Sequence, residues 1–444
     1  MRAKIKTQYF FLASAFTASV FTATAQSTTP PARSSKETSP YSRFGIGMLS
    51  EQRQATLRGM GGIATGFTDP FGINSFNPAS YSFLRATSLD FGLEARSRSI
   101  LMNDESVQSG TAGFSYLNLG FPLGKHAGMS FGFTPISNVY YNQADTANID
   151  GIGKVARAYE GSGGLQYAYI GFSGKFKGLS VGANFGYAFG NIINTSSLYQ
   201  LDTTIIRNSE FNKRNSMGGV YWKGGVLYQV SFKKDQYLNI GATATLSQSL
   251  NINRDEYAIA RSYDPNGIDL LSRDTVNQSY DAKGKLELPA EYSFGVHFGK
   301  SFYWDIGADF VYSDWKNFSN FGVKDSIANT AWRLGVGGEV TPDPLAVNKG
   351  KGKYFSTVTY RLGAYYGTDY ISMRGKQLNY MGGTIGMSFP FRRSNSNYQM
   401  GRVHTALDIG KRGTIENGLA REFYVKFSVA LSLNDLWFRK RRLE

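Results

Sequence analysis

From Phe423 to Leu433 the chain alternates strictly. The odd positions are Phe423, Val425, Phe427, Val429, Leu431 and Leu433, and the even ones are Tyr424, Lys426, Ser428, Ala430 and Ser432. Successive side chains of a strand point to opposite faces, so one face here is apolar and the other polar or small. The pattern recurs from Thr87 onward, separated by turns, with no helical period between. Leu179, Val181, Ala183, Phe185 and Tyr187 oppose Ser180, Gly182, Asn184 and Gly186. In 286–298, parity sets Leu286, Leu288, Ala290, Tyr292, Phe294, Val296 and Phe298 on one face. Glu287, Pro289, Glu291, Ser293, Gly295 and His297 fall on the other. This reading gives about fourteen strands across 87–438, with 127–144 as the third and 277–300 as the eighth. An even number of such strands predicts an all-β fold, a transmembrane antiparallel β-barrel whose residues face lipid and lumen in turn.

The connections give a direction. Gly124-Lys125-His126, Lys175 to Gly178, Lys233 to Gln236 and Gly299-Lys300-Ser301 are tight. The connections between them, such as Asn251 to Thr275, are long and polar. Bacterial barrels have short periplasmic turns and long outer loops, so the chain is expected to start and end in the periplasm. Thr341 to Lys353 departs from this rule, being long where a turn is expected.

Upstream of Thr87 the alternation is missing. Arg2, Lys4 and Lys6, an apolar run from Tyr9 to Phe21, and Ala23-Thr24-Ala25 predict a signal peptide over 1–25, with the mature chain starting near Gln26. Residues 26–86 read as a flexible Ser/Thr/Pro-rich start followed by a turn-rich, partly helical plug, or hatch, over 41–86. The barrel is assigned to 87–438 and a basic tail to 439–444.

Composition narrows the function. The 444 residues contain no cysteine and 51 glycines, with a formal charge of +15. Without cysteine there is no lipid-modified N-terminus, so anchoring comes from the fold. No internal run approaches the roughly 20 apolar residues of a spanning helix. Together these features place the protein in the outer membrane of a Gram-negative cell. The basic charges are scattered over turns and inward positions. That suits outer-membrane lipids, lipopolysaccharide or anionic solutes rather than nucleic acid.

Chemistry is sparse. His126 lies in a predicted turn, and His297 and His404 face inward without a nucleophile motif beside them. No enzymatic activity, metal or cofactor is expected. Arg333, Arg361 and Lys426 also point inward. They form either a carboxylate-binding patch for a ligand head group or partners of inward acids such as Glu287, Glu291, Glu339 and Asp408.

Several stretches resemble the FadL-type outer-membrane transporters of long-chain fatty acids and other hydrophobic compounds. Gly59-Met60-Gly61-Gly62, Asp69-Pro70 and Asn77-Pro78-Ala79 are similar to that family's N-terminal hatch. Leu288-Pro289-Ala290 and Tyr312-Ser313-Asp314-Trp315 are similar to its later strands, and the likeness runs in order over 41–438. The resemblance implies a fourteen-stranded barrel closed by a hatch motif at Gly59, Gly61, Gly62, Asn77, Pro78 and Ala79. It also implies passive uptake of a hydrophobic small molecule or fatty acid, and a wall opening at the third strand. Pro135 lies inside that strand with Gly132 nearby, and proline cannot donate to a ladder. An ordinary bulge is the alternative at this position. The resemblance departs at Ile136-Ser137, where the family has Phe-Gly, and in the basic tail. The other function left open is that of a non-enzymatic barrel with a protein partner in a secretion or surface-assembly complex.

Overall fold

The computed structural model describes residues 39–437, apart from 103, 202–205, 264–268, 326, 345, 347–353, 393–399 and 436. The expected signal, the residues up to 38 and the basic tail lie outside the described residues.

Fourteen antiparallel barrel strands follow one another around the wall: β1 (Thr87–Met102), β2 (Glu105–Pro122), β3 (Ala127–Ile149), β4 (Gly153–Phe176), β5 (Leu179–Gln200), β6 (Ile206–Ser231), β7 (Gln236–Thr245 continuing as Gln248–Tyr263), β8 (Asp269–Leu288 continuing as Glu291–Lys300), β9 (Trp304–Asp314), β10 (Thr330–Val340), β11 (Thr359–Met373), β12 (Lys376–Arg392), β13 (Met400–Gly413) and β14 (Arg421–Asp435). The barrel closes where β14 pairs with β1, from Arg421↔Leu101 to Asp435↔Thr87. Closure leaves no free sheet end, the condition for strands to cross a bilayer. Among the described residues no helix is long and apolar enough to cross a membrane. An outward belt includes Phe91, Phe185, Val226, Phe294, Ile306, Leu334, Leu362 and Phe427, all exposed.

Two expectations change. The long polar connections are mostly strand, not loop. β6 begins at Ile206 rather than near 214, and β8 at Asp269 rather than near 277. A tilted strand crosses a bilayer in about 9–11 residues, so the 26-residue β6 rises well beyond it. There Asn208 and Asn212 are buried on one face, while Ser209 and Phe211 are exposed on the other. Cross-strand pairs such as Lys213–Glu256 (3.1 Å) replace the apolar alternation.

The single parity assigned to 286–298 is also corrected. The ladder breaks at Pro289-Ala290 in β8 and at Leu246-Ser247 in β7, and each break shifts parity by one. Leu286 and Leu288 are therefore buried inside, while Tyr292, Phe294, Val296 and Phe298 face outward. Proline removes a donor at one break. At the other, the Gln248 side chain takes over the ladder, accepting from Trp222 N (2.8 Å) and donating to Trp222 O (2.9 Å). Beyond the breaks the outer half of the lumen becomes apolar, with Leu250, Ile252, Leu286, Ile192, Met217 and Phe318 in one buried cluster.

Residues 39–86 pack against the inner wall. Inward glycines leave the room they need. A Cβ on Gly128, Gly182, Gly225, Gly241, Gly337 or Gly363 would run into the backbone or side chains of Tyr81, Pro78, Asn77, Thr65, Met60 or Gly61 respectively. The small inward residues of the sequence thus form a seat for the chain's own N-terminal segment.

Candidate functional site

The Gly-rich run ends a short helix, Ala55–Arg58. Gly59 approaches Gly386 of β12, and Gly61 and Gly62 adopt φ of +67° and +70°, a region open to glycine at little cost. Asn77 is fully buried. Its Oδ1 caps the following 3-10 turn by accepting from Ala79 N (3.0 Å), and its Nδ2 donates to Thr65 O (2.6 Å) and Val226 O (3.3 Å). Pro78 opens that turn, and Ala79 O accepts from Ser180 Oγ (2.7 Å) at the start of β5. This end of the segment is therefore held near the periplasmic rim.

Charged side chains hold the rest. Asp309 of β9 accepts at Oδ2 from Ala64 N (2.6 Å), Thr65 N (2.7 Å) and Thr65 Oγ (2.8 Å). Arg58 pairs with Glu94 of β1, Arg402 of β13 with Asp69 (3.1 Å), and Lys426 of β14 with Glu51 (2.9 Å). Burial alone would raise the Glu51 carboxyl. Lys426, with Arg333, Arg58 and Arg53 behind it, outweighs burial and holds it well below the usual carboxylate range.

Of the three inward cations of the sequence, Arg333 and Lys426 line one cavity and Arg361 does not. Arg361 pairs with Glu339 (2.8 Å) and also contacts Ser388. Lys426 pairs with Glu51 and with Asp408 (3.1 Å). Arg333 donates to Gly61 O (2.6 Å) and lies over the Tyr365 ring. His297 is enclosed by Asp305 (2.7 Å) and Asp309 (3.6 Å). His404 sits between Ser388 and Ser432, and His126 is exposed in its turn. Among the described residues no group of His, Cys, Asp and Glu could hold a metal ion.

The wall changes at β3. β2 and β3 pair only from Leu117↔Phe133 to Pro122↔Gly128. Beyond Phe133 four successive residues, Thr134 to Ser137, are buried. Alternation would put two of these outside, so β3 leaves the wall and bends inward. Its pairing with β4 skips from Pro135↔Gln166 to Ser137↔Leu165, which makes Ile136 a bulge. Gly132 lies below this point, still paired with Asn118, and the Tyr169 ring takes the room it leaves. The edge of β3 that β2 vacates is covered by the short strand Met48–Leu49, through Met48↔Asn138 and Leu49↔Ser137. Ser50 N→Ile136 O (2.9 Å) and Ser39 N→Tyr140 O (3.0 Å) extend that contact. On the other lip, Glu105 to Phe114 of β2 is exposed except at Ser109, and its one strand partner among the described residues is β1.

Two cavities flank this segment. The outer, of about 480 Å³, has an apolar floor that includes Val139, Ile192, Met217 and Phe318, with Arg43, Lys213, Arg254 and Lys324 also lining it. The inner, of about 260 Å³, lies against Met48 to Arg53, Arg333, Tyr365 and Lys426. Ile46 lines both, so Gly45-Ile46-Gly47 is the partition between them. Tyr370 Oη fixes it by sharing its one proton between Phe44 O (3.1 Å) and Gly47 O (2.8 Å). Glu51, Arg53, Arg58 and this partition escaped the sequence reading, because a segment without strand or helix period gives no face to assign.

The family model described as BamG matches residues 8–444. No curated protein matches. Among solved structures, the chain is similar to the CymD monoaromatic hydrocarbon channel (12% identity, TM-score 0.54, covering 89% of this chain and 100% of that one). It is also similar to the Ralstonia pickettii toluene transporter TbuX (14%, 0.52, 87% and 99%) and to a Pseudomonas aeruginosa FadL homologue (12%, 0.53, 88% and 99%). At these identities the likeness establishes the fold, a FadL-type barrel.

Proposed function

The chain belongs to the BamG family and to the Gram-negative outer membrane, and from its geometry we propose that it conducts small hydrophobic molecules, long-chain fatty acids among them. The solute enters the outer cavity and passes the Gly45-Ile46-Gly47 partition. It leaves sideways into the bilayer through the seam between β2 and β3. Residues 39–50 act as the movable cover, and the ion-paired segment 51–86 stays seated as a hatch.

The observation that carries this reading is the seam itself. A hydrophobic solute gains nothing by entering water and gains by moving directly into lipid. Broken pairing at membrane depth is tolerated only where it is buried in protein or lines a cavity. Here the pairing of β3 with β2 ends at Phe133, where β3 bends inward through Thr134 to Ser137, and a two-residue strand covers the break. The hydrocarbon channel and toluene transporter of the same fold favour solutes of this class. The test is Pro135→Val, which restores a backbone donor at the bend. Uptake of a labelled fatty acid should fall several-fold with the heat-modifiable barrel at its normal level. Wild-type uptake would place the exit elsewhere.

A second reading, a non-enzymatic partner in a secretion or surface-assembly complex, is favoured by the exposed lip of β2. Edge backbone groups template strand addition by another chain. A photo-crosslinker at Val107 that captured one partner protein, with uptake absent, would support it over transport.

A further inference from the structure

Among the described residues, two buried guanidiniums form no ion pair. Arg53 and Arg333, at 7% and 8% exposure, both line the inner cavity. Arg53 Nε and Arg333 Nη1 have no hydrogen-bond partner. Arg53 is stacked over Phe76, and among the described residues the one hydrogen bond of the Arg333 guanidinium goes to a neutral carbonyl, Gly61 O. The cavity's acids are committed to other cations: Glu51 to Lys426, Glu94 to Arg58 and Arg96, Glu291 to Lys223, Asp369 and Glu422 to Arg412. After burial, the charge of Arg333 is the strongest influence disfavouring that of Arg53, larger than the opposing influence of Glu51, which is itself paired with Lys426. Two like charges out of water are costly unless a counter-charge lies between them. A guanidinium fork matches the planar oxygens of carboxylate or phosphate. The cavity of about 260 Å³ has room for either.

We infer that the inner cavity binds an anionic oxygen group, carboxylate or phosphate, between Arg53 and Arg333. The inference deepens the proposed passage by giving its solute an anionic head, and the binding test does not require that passage. Octanoate and inorganic phosphate distinguish an amphiphile head from a free anion, with octanol as the neutral control. The mature protein in non-ionic detergent is titrated with each, and the thermal unfolding midpoint is read.

Octanoate, phosphate or both should raise the midpoint saturably, since a ligand bound only to the folded state stabilises it. Octanol should not. Stabilisation by octanoate alone identifies an amphiphile head group, and by phosphate alone a free anion. Arg53→Gln and Arg333→Gln should each weaken binding at least tenfold. In anion-free buffer Arg53→Gln should still assemble as a heat-modifiable barrel, because Arg53 makes no hydrogen bond or ion pair among the described residues. This variant keeps the test decisive if Arg333→Gln loses its bond to Gly61 and misassembles. Absence of saturable stabilisation by either anion would overturn the site. So would unchanged affinity in Arg53→Gln. Uptake of a labelled alcohol is measured in parallel. If it persists in Arg53→Gln, the passage stands whatever becomes of the anion site.

Discussion

Asp309 and Glu51 hold the same segment with different sensitivities. Asp309 receives two backbone amides and a hydroxyl on one oxygen. Asp309→Asn turns an ionised acceptor into a weaker one, and hydrogen bonds to charged groups contribute about 1.5–3 kcal/mol each. We expect a loss of about 2–4 kcal/mol in urea unfolding of the refolded barrel, on that scale. A loss below about 0.5 kcal/mol, the lower end of a neutral bond, would mean the clasp is idle. Glu51 adds a pH term. Its carboxyl is lower in the folded state than in the unfolded chain, where it lies near about 4.3. Its stabilisation is thus fully present above that value and is lost as pH falls through the folded value. The stability difference between wild type and Glu51→Gln should be flat from about pH 7 to pH 5 and shrink below about pH 4. A difference that shrank already between pH 7 and pH 6 would contradict the low carboxyl.

At the scale of elements, the barrel strands were legible because period-2 alternation survives wherever one face meets lipid and the other meets the lumen. Reading failed where that asymmetry ends. Above the bilayer β6 buries polar asparagines rather than apolar residues and β8 is exposed on both faces from Thr275 to Asp281, so these stretches look like loops. At Pro289 and Ser247 a one-residue break reverses parity without changing composition. Pro135 could be read as a ladder interruption. That β3 then turns inward, and that Met48–Leu49 covers it, follows from distant partners that no local pattern encodes. The wall glycines belong to this scale as well. Gly363→Val should put a branched side chain into the backbone of Met60 and Gly61. Overpacking of this kind costs about 1–3 kcal/mol. The expected outcome is an unseated hatch and higher single-channel conductance in planar bilayers. Wild-type conductance would mean that the wall yields instead.

At the scale of the molecule, the polar periplasmic half of the lumen is filled by residues 51–86 and the apolar outer half is left as a cavity. The turns of this segment were readable as Gly, Asn and Pro punctuation. Its ion-paired seating was not, because the pairs join residues 36 to 375 positions apart, beyond any local pattern. Deleting 41–86 removes both cover and hatch, and should give a permanently open, ion-conducting barrel.

The seam between β2 and β3 is tested most directly by locking it. The chain has no cysteine, so Leu49→Cys with Ser137→Cys places a single pair of thiols on paired backbone positions. Transfer of a labelled fatty acid into proteoliposome lipid is measured oxidised and reduced. We predict that oxidation abolishes transfer and that reduction restores it to the level of the unmodified protein. Equal transfer in both states, with the disulfide confirmed by mass, would contradict lateral release through this seam.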